Sequence, residues 1–199
     1  MLLSFFQFDA SISWVSEEMA ENIDTVLDKF IHRYCAAAEE QGGLQVEYDR
    51  EWPSDCIQNS PESGEMALWK PILQTNTSNF QAMYDALELT ISDEFESLFT
   101  RYWSDHLGAI TEQGKMTLLQ VWNQDDFERL QQNLIGHVLM KRRLKQPETL
   151  FFGVTDQEDF IISLEHHSGH VVVEQVGKKP HLKLADSLVE FINELEPDF

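Results

Sequence analysis

Apolar side chains at Ile23, Val26, Leu27, Phe30, Ile31 and Tyr34 recur at the i, i+3, i+4 spacing that lines one face of an α-helix. Ser16 is placed to cap this helix and Gly42-Gly43 to stop it. Over residues 44–64 the period is lost. Trp52-Pro53, Ser60-Pro61 and Gly64, set among scattered carboxylates, predict a long irregular connection with one short strand near Cys56-Ile57. MALWKPIL, residues 66–73, alternates like a strand whose end Pro71 puts at a sheet edge. Asn79 ahead of Phe80, Met83, Tyr84 and Leu87, and Ser92 ahead of Phe95, Leu98, Phe99 and Tyr102, predict two capped amphipathic helices.

HLGAI and MTLLQVW flank the turn-rich stretch 111–115, where Gly114 sits, and predict a hairpin. Asn123 opens a helix with Phe127, Leu130, Leu134 and Val138 inward, which runs into KRRLKQP and stops at Pro147. The cations at that end complement the helix dipole. TLFFGV, DFIISLEHH and HVVVEQV follow as three strands split by turns at 155–158 and at Ser168-Gly169, which implies an antiparallel meander. Over 182–195, Ala185, Leu188, Val189, Ile192 and Leu195 share one face and predict a closing helix. Elements in this order indicate an α+β fold: a single domain with a mainly antiparallel mixed sheet packed with amphipathic helices.

Composition agrees with that picture. A chain of 199 residues can bury a core without disulfides or a structural metal. The hydrophobic fraction of 42%, with five Trp and thirteen Phe, belongs to a globular chain. Cys35 and Cys56 form no CxxC and suit a reducing cytosol. The opening MLLSFFQFDASISW is apolar, but it lacks a basic n-region and a small-x-small cleavage site and carries Asp9, so export is not expected. No stretch approaches the roughly 18 consecutive apolar residues of a membrane span, so membrane association would run through a partner.

Charge changes the picture most. Asp plus Glu number 35 against 14 Lys plus Arg, a net charge of −21. Such a surface repels nucleic acid and anionic lipid and attracts basic partners. The carboxylates cluster. Asp93, Glu94 and Glu96, and Asp125, Asp126 and Glu128, fall in first turns of helices, where the dipole favours them. Loop clusters have no such local explanation: Glu47, Asp49, Glu51 and Asp55 around Trp52, then Glu62 and Glu65, and separately Asp156, Glu158 and Asp159. Carboxylates beside aromatic edges can hold a Lys/Arg-rich loop by bidentate pairing and cation–π contact. These residues are the candidate partner-binding set.

Catalytic chemistry finds little footing. In EHHSGH a two-residue turn at Ser168-Gly169 would pair His167 with His170 and point His166 to the opposite face, so three metal ligands would not converge. No GxSxG, HExxH, GxxxxGK[ST] or GxGxxG occurs. His137 reads as a packed or hydrogen-bonded helical histidine. LMKRRLKQ, the one basic patch, lies in a field of opposite sign and reads as ion-paired or as a helix end. Catalytic residues, metal and cofactor are all read as none, and the chain as no enzyme.

From about Ser16 onward the sequence resembles the Syd family. The likeness is carried by FIHRYC, the Trp52-Pro53 segment ending SDCI, LWKP, KMTLLQVWNQDDFERLQQNLIGHVLMKRRLKQPETLFF, ISLEHHSGHVVVEQVG and HLKLADSLVEFINELEP. This resemblance implies a SUKH-like α+β domain over 16–199. It also implies a cytoplasmic protein, peripheral on the cytoplasmic face of the bacterial inner membrane, that binds the basic cytosolic loops of the translocon subunit SecY through an acidic concave groove. Its role would be monitoring or regulating translocon assembly. The superfamily also permits an immunity-like protein that neutralises a basic toxin. Residues 1–15 depart from the family pattern and are expected to form an N-terminal extension, mobile or loosely packed, with Phe5, Phe6 and Phe8 outside the main core.

Overall fold

Asn22 approaches in extended conformation, and its side-chain oxygen accepts the Thr25 N–H at 2.9 Å; this cap opens α1 (Ile23–Glu39). The computed structural model describes residues 21–75 and 78–199. Ser16 and the proposed extension 1–15 lie outside the described residues. After α1, Gly42 (φ 98°) and Gly43 (φ 89°) take left-handed conformations, and the Gly43 N–H closes on Ala38 O at 2.9 Å.

Residues expected to be irregular begin with a strand, β1 (Leu44–Glu47), paired antiparallel with β2 (Met66–Trp69). The site expected for a strand, Cys56-Ile57, contributes a single bridge from Ile57 to Trp69. Pro71 then divides 66–73 in two, because it cannot donate to a ladder. The second piece, β3 (Ile72–Leu73), leaves its first partner for β4 (Tyr102–Trp103).

Between these strands lie α2 (Gln81–Leu87) and α3 (Asp93–Thr100). Asn79 accepts the Gln81 N–H at 3.1 Å, and Ser92 caps α3 by accepting from Phe95 N–H. Next come β5 (Leu107–Thr111), β6 (Gly114–Leu118) and α4 (Gln124–Arg143), the last capped by Asn123 on Asp126 N–H at 2.9 Å. The chain closes with β7 (Thr149–Thr155), β8 (Phe160–Glu165), β9 (Val171–Gln175), β10 (Leu182–Ala185), α5 (Leu188–Glu194) and β11 (Glu196–Pro197).

Seven strands form one sheet in the order β10-β9-β8-β7-β6-β5-β11, every neighbour antiparallel. The fold is α+β, as the order of elements implies. The closing helix starts later than expected. Leu182 and Lys183 pair with Val173 and Val172 as strand, and Ser187, extended at φ −150°, caps the helix on Glu190 N–H at 3.1 Å. The histidine turn is also wider than two residues. Glu165 N–H donates to His170 O and Gly169 N–H to Glu165 O, both at 2.9 Å, so His166 and His167 sit within a turn over 166–169 instead of on its flanking strands.

Helices α1, α3 and α5 pack on one another, while α4 packs on β7 and α2. Phe80 sits among Phe95, Phe99 and Phe127, and Phe152 of β7 meets Phe191 of α5 at 5.7 Å. The α4–sheet contact also buries charge. Lys141 Nζ donates to Glu174 Oε2 at 2.5 Å and to Lys178 O at 2.8 Å, and both side chains of the pair are 0% exposed. Glu174 Oε1 accepts from Thr149 and Ser163 hydroxyls at 2.6 and 2.8 Å, and His137 Nε2 bonds Thr149 Oγ1 at 2.9 Å. Burial pushes the Glu174 carboxyl upward, but the bonds from His137, Lys141, Thr149 and Ser163 prevail and bring it down to about 2. Every oxygen of this buried carboxylate has a donor, which fixes α4 in position over the sheet.

Candidate functional site

The start of α4 is where the β1–β2 ribbon meets the main sheet. Three bonds join the segment Trp52-Pro53-Ser54 to Trp122-Asn123. Trp122 Nε1 donates to Trp52 O at 3.2 Å, Asn123 Nδ2 to Pro53 O at 2.8 Å, and Ser54 Oγ to Trp122 O at 2.6 Å. Trp69 from β2 packs edge-on against Trp122 with centroids 5.7 Å apart. Asp126 reaches back to accept the Trp122 N–H at 2.9 Å, so its carboxylate is held at the positive end of α4.

These contacts leave a hollow of about 240 Å³ lined by Val46, Glu47, Tyr48, Asp49, Trp52, Ile57, Asp105, His106, Trp122 and Asp126. Four carboxylates and two indoles border it. Among the described residues none of Glu47, Asp49, Asp105 and Asp126 belongs to an ion pair, whereas Asp24, Asp28, Glu148, Glu174, Asp186, Glu196 and Asp198 all do. On Trp52 the Arg129 guanidinium lies 4.1 Å from the ring centroid and steadies the indole. Trp122 also walls a neighbouring depression, about 240 Å³, lined by Pro53, Ser54, Asp55, Trp103, Asn123 and Gln124. Together they make an aromatic-walled, negatively charged trough.

Of the candidate residues, Glu47, Asp49 and Trp52 meet in the hollow and Asp55 in the depression beside it. Glu51 is exposed on the turn in which its N–H donates to Asp49 Oδ1 at 2.9 Å. Glu62 and Glu65 lie on the exposed loop into β2, where Tyr48 N–H donates to Glu65 O at 2.8 Å. Asp156, Glu158 and Asp159 are elsewhere. They form the β7–β8 turn beside the start of β6, while the trough lies past the end of β6, at Trp122. Asp156 borders a separate hollow of about 180 Å³ with Lys115 and His181.

Asp105, His106 and Trp122 join the site without having been singled out from sequence. Asp126, explained by the helix dipole, serves the trough as well. The larger concavity on α1, about 830 Å³, carries Lys29 and Arg33 beside Asp28 and so has no single sign to select a charged partner.

Among the described residues no group of three His, Cys, Asp or Glu side chains could hold a metal. His166 and His167 have adjacent rings, and His170 faces Asp186 at 3.6 Å. His137 is the buried, hydrogen-bonded helical histidine its spacing implied. The basic patch is ion-paired at two positions, Lys141 to Glu174 and Arg142 to Glu148. No helix among the described residues is long and apolar enough to cross a membrane.

The family model described as Syd protein (SUKH-2) matches residues 24–197. Protein Syd of Pseudoalteromonas atlantica is 44% identical over 182 residues, covering 90% of this chain and 98% of that protein. Protein Syd of Alteromonas mediterranea is 48% identical over 179 residues with the same two shares, 90% and 98%. Protein Syd of Colwellia psychrerythraea is 44% identical over 159 residues, 75% of this chain and 79% of its own. The match spans the first helix, the trough and the C-terminal strand, and on that ground the chain belongs to the Syd family.

Proposed function

We propose that this protein is a non-enzymatic binding module that holds the Lys/Arg-rich cytosolic loops of SecY in the trough between the β1–β2 ribbon and the start of α4. It then resides at the cytoplasmic face of the bacterial inner membrane by docking on a membrane-embedded partner, and monitors or regulates translocon assembly. The observation that supports this reading is the set Glu47, Asp49, Asp105 and Asp126, which has no ion-pair partner among the described residues, around one hollow walled by Trp52 and Trp122. A cationic segment entering it meets carboxylates free of ion pairs beside the Trp122 indole, where bidentate pairing and cation–π contact act together. The net charge of −21 steers such a partner and repels nucleic acid and anionic lipid.

The test is binding of SecY cytosolic-loop peptides to the full chain across ionic strength. Affinity should fall steeply as the Debye length shrinks from about 30 Å at 0.01 M salt to about 8 Å at physiological strength. Glu47→Gln, Asp49→Asn and Asp105→Asn together should weaken binding at least about tenfold. Asp156→Asn with Glu158→Gln, at the far end of the sheet, should leave it unchanged. A salt-independent isotherm, or equal affinity for the neutralised variant, overturns the proposal. A lysate pull-down that returns a soluble basic protein and no SecY would favour the toxin-neutralising alternative.

A further inference from the structure

The hollow is lined by four consecutive residues, Val46, Glu47, Tyr48 and Asp49. Val46 and Glu47 close β1 and Tyr48 and Asp49 follow them, so the hollow borders the end of that strand, whose outer edge is the one turned away from β2. Hydrogen bonding locates that edge. Leu68 O accepts from Gln58 N–H at 2.8 Å, Leu68 N–H donates to Asn59 Oδ1 at 3.0 Å, and Lys70 N–H donates to Cys56 O at 3.1 Å. The even-numbered residues of β2 thus turn toward 56–59. Ala67 and Trp69 turn the other way, toward their register partners Val46 and Leu44 on β1.

Tyr48 continues the series, donating its N–H to Glu65 O at 2.8 Å. Gln45 and Glu47, between these bonded positions, therefore direct N–H and C=O away from β2. Among the described residues no second strand lies beyond that edge, and the sheet that holds β1 has two members. The strand is short and ends in Glu47, which discourages pairing with neutral or acidic strands. A cationic strand escapes that penalty.

We propose that the basic segment is bound as an added β-strand. Its main chain pairs with Gln45 and Glu47 on the outer edge of β1, and its alternate Lys or Arg side chains point to Asp49, Asp105 and Asp126. This rests on the acidic-trough reading and adds the conformation of the partner: extended, with residues of one parity read by charge and the main chain read by the edge.

The test uses a short synthetic peptide alternating Arg and Thr, and two versions of it N-methylated on one or the other set of alternate amides. All three carry the same charge. One methylated peptide should bind the full chain about tenfold more weakly than the parent, the loss expected when main-chain bonds to the edge are blocked, and the other should match the parent. On the protein, Gln45→Pro removes an outward N–H without touching the ladder or any charge, since proline fits where the N–H faces outward. It should weaken the parent peptide by about the same factor. Glu47→Pro should weaken it beyond Glu47→Gln. Native Trp fluorescence and far-UV circular dichroism check that each variant is folded. In a labelled sample, the Gln45 and Glu47 amide protons should exchange more slowly when peptide is added.

If both methylated peptides and Gln45→Pro behave like their parents while neutralising Glu47 and Asp49 still weakens binding, strand addition is wrong and the acidic trough stands. If the parent peptide does not bind at low salt, or neutralising the carboxylates changes nothing, both readings fall together.

Discussion

Glu174→Gln is the substitution with the largest expected cost. It keeps the shape of the side chain and removes the charge opposite Lys141, whose side chain is 0% exposed. Breaking one partner out of a buried pair costs about 3–5 kcal/mol, because the remaining ion is left uncompensated. An independent route gives a similar figure. A carboxyl brought from 4.5 to about 2 by folding contributes about 3 kcal/mol. For a domain of this size, that lowers Tm by roughly 6–20 °C. Because the folded value lies below the unfolded one, the contribution is complete above 4.5 and is lost as pH falls toward about 2. The gap between wild type and Glu174→Gln should therefore narrow on acidification. Urea unfolding followed by Trp fluorescence at neutral pH and at several acid pH values measures both quantities, and Lys141→Met completes a double-mutant cycle. A cost under about 1 kcal/mol, or a gap that does not change with pH, would refute the idea that this network holds α4 on the sheet.

Three further outcomes are expected. Arg101 donates Nε and Nη2 to the two oxygens of Asp28, both at 2.6 Å, and Nη1 to Asp24 at 2.8 Å. Arg101→Lys loses that fork and, at this partly exposed site, should cost about 1 kcal/mol in a thermal melt, with no change in fold. A Cβ on Gly108 would stand 2.3 Å from Asp198 O, so Gly108→Ala should push β11 off β5, cost about 1–3 kcal/mol and open the last residues to carboxypeptidase; unaltered resistance would contradict the close approach. Cys56 is fully buried, and burial raises its thiol to about 11, while Cys35 is half-buried with a smaller rise; a thiol reagent should label Cys35 first in the native protein and both together in urea.

Elements with side-chain caps were readable from sequence because the signal is local. Ser92 and Asn123 stand where their oxygens meet the N–H three residues on, and the apolar stripes behind them are the buried faces. The hairpin at Gly114 and the meander announce themselves through turn residues between β-rich runs. β1 was missed because four residues, Leu-Gln-Val-Glu, are too few to show a period, and its partner comes only at Met66. Residues 182–195 misled for the opposite reason. Ala185 and Leu188 are three apart and satisfy a helical stripe, yet Ser187 ends the strand and begins the helix between them.

The trough followed the same logic. Glu47, Asp49 and Trp52 are close in sequence and declared themselves as a cluster, whereas Asp105 and Trp122 reach them only through the tertiary bonds from Trp122 and Asn123 to 52–54. Asp126 had a sufficient local explanation, and that concealed its second duty.

The bonds from Arg33 to Leu195 O and to Glu196 join parts of the chain 162 and 163 residues apart. On a ribosome adding about 5–20 residues per second, α1 waits roughly 10–30 s between its own emergence and that of the helix and strand that cover it. Through that interval the face of α1 that carries Leu27 and Phe30, both fully buried in the finished protein, lacks the part of its cover that α5 supplies. The packing of α1 is therefore completed only after synthesis has passed α5.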